Sequence, residues 1–354
     1  MRLGSVTFAP DNYDAVQIGT IELGPVPLFL APMEDVTDES FRFVCKQFGA
    51  DMVYTEFVSS DGLIRDAAKS LQKLLLRDEE RPIGIQLYGH DLAAMVEAAK
   101  RSEMARPDVI DLNFGCPVKK IATRGAGAGM LCNVPLMVEM TAAIVKAVKV
   151  PVTVKTRLGW DDNSKIIVEV AERLQDVGIQ AITIHGRTRS QMYKGVADWT
   201  LIGEVKSNPR MQIPVIGNGD ISSPAFAREM VDRYGVDGLM IGRATYGRPW
   251  IFREIKTFLQ TGAIMAPLTV SERVDLARMH LLKSVEVKGV RTGILEMRRH
   301  LAHYFKGLPH FKDFRMKLVT LNEVDALIAL LDEIAVCYQN YHQLDDEVAS
   351  PLIH

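Results

Sequence analysis

Eight short β-rich runs punctuate the chain up to residue 242, and stretches with helical periodicity separate them. The runs are LFLAPM (28–33), MVYTEF (52–57), IGIQLYG (83–89), VIDLNF (109–114), VTVKTRL (152–158), AITIHG (181–186), PVIGNG (214–219) and LMIG (239–242). Between them, DESFRFVCKQF, DLAAMVEAAKRS, PLMVEMTAAIVKAV and KIIVEVAERLQDV read as helices. In the third, Leu136, Met140 and Ile144 recur at i, i+4 and i+8, which predicts one buried face. SSPAFAREM predicts a helix capped by Ser223 with Pro224 in its first position, and Gly49, Gly178 and Gly235 stand where helix ends favour glycine. Eight such alternations over about 250 residues predict a (β/α)8 TIM barrel. A doubly wound open sheet is the alternative. It fits less well, because no GxGxxG follows the first run and the glycine-rich RGAGAGML (124–131) has a different spacing.

A boundary follows near Gly262, where TGAIMAPLTVSERV contains Pro267 and a capping-box pattern of Thr269 with Glu272. The barrel is assigned to 1–262, a small all-helical C-terminal domain to 268–342 and a tail to 343–354. The last long helix carries an apolar stripe through Val324, Leu327, Leu331 and Ile334. Between Lys283 and Lys317 there are nine Lys or Arg against three acids, and after Lys317 seven acids and no Lys or Arg. One basic face is therefore expected here, with His300, His303 and His310 nearby. A bare charge run is more often a solvated face than a binding site.

The net charge of -2 excludes a uniformly basic nucleic-acid binder but not a local basic patch. Cys45, Cys116, Cys132 and Cys337 form no CxxC pair and accompany no histidine cluster at zinc spacing, so neither a disulfide framework nor a metal is expected. No apolar leader and no membrane-length apolar run is seen, and a cytoplasmic monomer without membrane contact is expected. Cys45 reads as a core residue. Cys116 instead lies between Gly115 and Pro117, on the turn leaving the fourth run.

Barrel chemistry collects at the C-terminal ends of the strands. Those ends carry Pro32 and Met33, Glu56, Gln86, Asn113 with Cys116, Lys155 with Arg157, His185 with Arg187, Asn218 with Gly219 and Asp220, and Gly242 with Arg243. Several of these polar groups are expected to pair with one another, but a whole ring of them calls for a ligand or a network. GNGD and IGRA, ending the last two runs, suit a phosphate site where barrels commonly hold one. A phosphate grip with Lys155 and Gln86 suits flavin mononucleotide (FMN), Lys155 facing the charge of the reduced ring. A sugar phosphate fits the grip alone about as well.

APMEDVTD (31–38), NFGCPVKK (113–120), VKTRLGW (154–160), HGRTR (185–189), GNGD (217–220) and IGRATYGRPWIF (241–252) resemble the tRNA-dihydrouridine synthases, most closely the bacterial B type. The resemblance covers almost the whole chain, including RRHLAHYFKGLPHF in the helical part. It implies an FMN barrel that uses NADPH or NADH to reduce C5=C6 of a uridine in the tRNA D-loop, with the helical domain gripping the RNA. Cys116 falls on the catalytic acid. Pro32, Met33, Gln86, Lys155, His185, Asn218, Gly219, Gly242 and Arg243 fall on the flavin pattern, to which Asp220 is added from the same turn. Asn113 and Arg157 match uracil-contacting positions, with Arg187 beside them. Lys119, Lys120, Arg124, Arg298 and Arg299 are expected on phosphates. A protonated thiol is what C5 needs opposite the hydride. Met130 and Cys132 depart from the family pattern, which leaves the course of 118–132 open. Three other readings stand: a barrel flavoenzyme reducing a free pyrimidine, a synthase acting on rRNA, and a non-catalytic RNA-binding barrel.

Overall fold

A computed structural model describes residues 13–341; the tail expected at 343–354 lies outside them. Eleven strands are described: β1 (Ala15–Ile18), β2 (Ile21–Pro25), β3 (Leu28–Leu30), β4 (Val53–Tyr54), β5 (Val58–Ser59), β6 (Ile83–Tyr88), β7 (Val109–Phe114), β8 (Val152–Arg157), β9 (Ala181–His185), β10 (Val215–Asn218) and β11 (Gly238–Ile241). Eight of them pair in parallel in the order β3-β11-β10-β9-β8-β7-β6-β4, with β5 beside β6. A parallel bridge from Phe29 to Met52 joins the two ends, supported by Leu30 N–H donating to Met52 O at 3.0 Å. The chain is a (β/α)8 TIM barrel. All eight β-runs of the sequence became its strands.

Each strand turns alternate residues outward and inward. Outward residues such as Leu30, Ile85, Leu112, Val154 and Ile184 pack in the main core with helix residues such as Phe41, Met95, Met140 and Leu174. Inward residues near the strand starts, among them Phe29, Met52, Val109, Ala181, Ile216 and Met240, form a second apolar cluster with Val16, Ile18 and Leu23. The β1–β2 hairpin therefore plugs the floor of the barrel. Sequence reading missed this hairpin, although VQI and IEL alternate around Gly19, which takes φ 59° in the turn. Full burial of each such side chain is worth roughly 1.5–3 kcal/mol.

The predicted helices form, with local differences. Ser223 accepts Phe226 N–H at 3.2 Å and Gly235 closes that helix at φ 63°. In the helix Val134–Ala147, Met137, Met140, Thr141 and Ile144 are buried, whereas Leu136 is only half-buried. The face is rotated by about one residue from the expected one, because i+3 and i+4 steps both lie on a 3.6-residue stripe. Cys45 is fully buried.

The described residues fall into two compact units, one taking in residues up to 245 with 249–263, the other 246–248 with residues from 264 onward. The second consists of the helices Val270–Lys288, Val290–Tyr304, Lys312–Thr320 and Val324–Cys337. Thr269 and Glu272 cap its first helix reciprocally, and Leu327, Leu331 and Ile334 are buried on its last while Val324 is half-buried. Among the described residues no helix is long and apolar enough to cross a membrane.

Candidate active site

Above the apolar floor the inward positions turn polar. Register sets Asn113 beside Lys155 and His185 beside Asn218 on neighbouring strands. Asn218 Oδ1 accepts Lys155 Nζ at 3.2 Å and faces His185 Nδ1 at 2.9 Å, while its amide donates to Met240 O at 2.7 Å. An accepting oxygen at Nδ1 makes that nitrogen the protonated one and leaves Nε2 as the acceptor. Burial, then the cations of Arg157, Lys155 and Arg187, push the imidazole well below its usual range, so His185 is neutral. Burial likewise lowers Lys155 to about 8, with Arg157 adding to the effect.

Cys116 occupies the expected turn and is 9% exposed. Asn113 Oδ1 accepts the N–H groups of Gly115 (3.0 Å) and Cys116 (2.8 Å), and Arg157 Nε donates to Gly115 O at 2.7 Å. Burial pushes the thiol above its ordinary value, so it is protonated at neutral pH. The segment 118–132 folds against this turn as a short helix Lys119–Ala122 and a 3-10 stretch Gly127–Cys132, with Ala128 N–H donating to Cys116 O at 3.0 Å. A Cβ on Gly127 would lie 2.9 Å from Cys116 O, which accounts for a glycine there. Met130 is buried and Cys132 exposed.

The GNGD and IGRA ends meet through Asp220. Its carboxylate accepts Arg187 at 2.9 and 2.7 Å, Arg243 at 2.7 Å and Ala197 N–H at 2.8 Å. Burial alone would raise its pKa; the Arg187 hydrogen bond, the Ala197 N–H and the two arginine charges hold it below the usual carboxylate range. Asp220 was expected to hold cofactor, yet its oxygens are engaged by arginines. Arg187, expected at the substrate, donates to Asp220, to Lys194 O (3.1 Å) and to Gly195 O (2.6 Å), and is 2% exposed. With its remaining N–H on His185 Nε2 at 3.4 Å, all five donors are used within the protein. Arg187 therefore shapes the rim. Arg243 is half-exposed with one N–H on Asp220, leaving most of its fork open.

Two residues, Tyr193 and Asp111, gained significance only in three dimensions, and Glu56, already named at a strand end, gained its surroundings there. Tyr193 lies under both Arg157 (5.6 Å) and Arg243 (5.2 Å) on the loop after β9. Glu56 accepts Asp35 N–H, and burial, with Glu34 and Asp38 adding against Lys73, pushes it up to about 7. Asp111 lies fully inside the barrel, pushed to about 6 by burial against hydrogen bonds from Gln86 and Thr153. VIDLNF held a signal for it, since period two puts Asp111 on the face of Asn113.

The family model described as Dihydrouridine synthase matches residues 29–340. The chain belongs to the dihydrouridine synthase family. It is 40% identical over 325 residues to tRNA-dihydrouridine synthase B of Pseudomonas aeruginosa, covering 92% of this chain and 97% of that protein. It is 39% identical over 326 residues to a probable tRNA-dihydrouridine synthase of Rickettsia prowazekii, covering 92% and 98%. Among solved structures, a 2-naphthoyl-CoA reductase superposes with a TM-score of 0.57 at 12% identity, over 78% of this chain and 63% of that one, which speaks for the barrel alone. As a dihydrouridine synthase the chain is an enzyme, and the non-catalytic reading is set aside.

The remaining expected residues of this dihydrouridine synthase lie elsewhere. Lys119 and Lys120 are exposed on their short helix. In the helical unit Arg298 donates to Asn322 Oδ1 at 2.8 Å, Lys288 pairs with Glu296 at 2.7 Å and Lys283 with Glu286 at 3.2 Å. Arg299 is half-buried. His300, expected near a basic face, is instead 1% exposed, its ring against His280 and Tyr246. Lys306, Lys312 and Arg315 are exposed around a cavity of about 190 Å³ floored by Phe305, Leu308 and Phe311.

Proposed function

We propose that this dihydrouridine synthase reduces the C5=C6 bond of D-loop uridines in tRNA, using FMN and NADPH or NADH, as a cytoplasmic monomer. The observation that carries the reading is Cys116: a thiol held protonated on a turn anchored by Asn113 and Arg157 at the mouth of the barrel. An acid there is what an electron-poor alkene needs once it has accepted a hydride.

The mouth suits a flavin by its donor set and its space. Lys155 and the open Arg243 fork are donors suited to a polar ring edge and a phosphate, while Gln86, expected there too, is fully buried on Asp111 and Asn113. A Cβ on Gly242 would fill the space beside Ala31 (3.5 Å) and Met33 (3.6 Å), so glycine keeps that cradle open. Pro32, Met33, His185, Asn218 and Gly219 complete the proposed flavin site. Bound flavin supplies the hydride. Asp220 and Arg187 hold the rim in shape, and Cys116 Sγ–H gives its proton to C5 of the base. Arg157, its Nη1 on Thr188 O (3.0 Å) and Met192 O (2.9 Å), keeps Nη2 for charge developing on the uracil oxygen.

Residues 1–262 are the catalytic part in this reading and 268–342 the RNA grip. Exposed Lys306, Lys312 and Arg315 above an aromatic floor support the grip, as do Lys119 and Lys120 beside the acid. The free-pyrimidine reading leaves these cations without a task. The test is spectroscopic: protein reduced anaerobically by NADPH should regain its oxidised flavin spectrum on adding unmodified tRNA, and should not on adding uridine. A colourless protein, or reoxidation by uridine alone, would refute the proposal.

A further inference from the structure

A continuous hydrogen-bond chain runs from the barrel interior to the turn of Cys116. Gln86 Nε2 donates to Asp111 Oδ2 at 2.6 Å, Asn113 Nδ2 donates to Gln86 Oε1 at 2.8 Å, and Asn113 Oδ1 accepts from Gly115 and Cys116 at 3.0 and 2.8 Å. The other Asp111 oxygen accepts Thr153 Oγ1 at 2.6 Å. We propose that Asp111 is a positioning residue that sets the direction of this chain and thereby fixes the backbone that carries Cys116.

An amide side chain can face either way, and nothing in Gln86 or Asn113 alone decides between its two ends. The ends of the chain decide. Backbone N–H groups at Gly115 and Cys116 only donate, and an ionised carboxylate at Asp111 only accepts. Between two such ends a pair of amides has one consistent arrangement, the one observed. Reversing it would aim Asn113 Nδ2 at two buried N–H groups, and both would lose their acceptor. Gln86, Asp111 and Asn113 are all buried, so water is not at hand to replace a lost partner. The inference rests on the proposed role of Cys116 only for its effect on turnover. The chain itself does not depend on it.

A pair of variants tests the direction. Asp111→Asn keeps it, because Asn Oδ1 still faces Gln86 and its Nδ2 finds the Thr153 hydroxyl. Asp111→Leu leaves Gln86 Nε2 without its acceptor, so only the backbone end still orients the amides and the turn loosens. The readout is iodoacetamide labelling of the Cys116 peptide by mass spectrometry on the flavin-loaded protein. Asp111→Asn should alter the labelling rate by less than about threefold and Asp111→Leu by more than roughly tenfold. Turnover on tRNA should fall correspondingly in Asp111→Leu while flavin content stays. Unchanged labelling in Asp111→Leu, or an equal change in both variants, overturns the proposal. If that variant does not fold, Gln86→Leu breaks the chain at its middle; unchanged Cys116 labelling there overturns it equally. Wild-type protein inactive on tRNA would instead sink the functional reading, with the labelling pair still reporting on the chain.

Discussion

The floor and the mouth of the barrel are built from the same strands only a few residues apart, yet they solve opposite problems. At the floor Phe29, Met52, Val109 and Ile216 meet the β1–β2 hairpin in an apolar cluster whose worth is transfer from water. Two or four residues later on those strands stand Asp111, Asn113 and Asn218, buried as deeply but held by directional bonds. Burial stabilises the first layer without asking for orientation. In the second it raises Asp111 and Cys116 and lowers Lys155 and His185. The barrel thus spends its floor on stability and its mouth on chemistry.

Breaking the mouth should cost rate and spare the fold. Cys116→Ala should retain flavin and its reduction by NADPH while losing about 100-fold or more in dihydrouridine formation, the usual scale of a lost general acid. Stopped-flow flavin spectra and nucleoside analysis of the same sample check both halves. Breaking the floor should do the reverse. Phe29→Ala should cost about 3–5 kcal/mol in urea unfolding, with turnover per flavin-loaded molecule kept.

Smaller effects sharpen the contrast. Arg243→Ala should weaken flavin retention through dialysis, because its open fork is lost while Arg187 still holds Asp220. In the helical unit, replacing Lys306, Lys312 and Arg315 by Ala should flatten the salt dependence of tRNA binding. Each lost phosphate contact should take roughly 0.7–0.9 from the log–log slope, with flavin content unaltered. The pH profile should be mildest in magnitude. Lys155, lowered to about 8, is a cation below that value and neutral above it, so turnover should decline as pH rises through 8. Cys116, raised above its ordinary range, should still hold its proton there.

The sequence was most legible where one local pattern decides the outcome. Eight β-runs between amphipathic stretches gave the ring of strands, and Ser223, Gly235, Thr269 and Glu272 behaved as their capping chemistry dictates. The β1–β2 hairpin escaped because it repeats none of the strand–helix units, although its alternation was there to see. Asp111 escaped for a different reason: one acid in an apolar run looks like a misplaced surface residue until Gln86 and Thr153 are seen around it. Arg187 and Asp220 lay in the expected place, but their mutual pairing is a fact of folding that spacing does not carry. The charge run from Lys283 to Lys317 is not wholly free, since Lys288 pairs with Glu296 and is half-buried, and Lys283 pairs with Glu286.

The most direct test sets wild-type protein with NADPH against an unmodified tRNA transcript and against free uridine, reading dihydrouridine by mass spectrometry. The account predicts a two-dalton gain at D-loop uridines of the transcript and none in the nucleoside. Reduction of free uridine at a comparable rate, or a transcript left unchanged by yellow, NADPH-reducible protein, would contradict it.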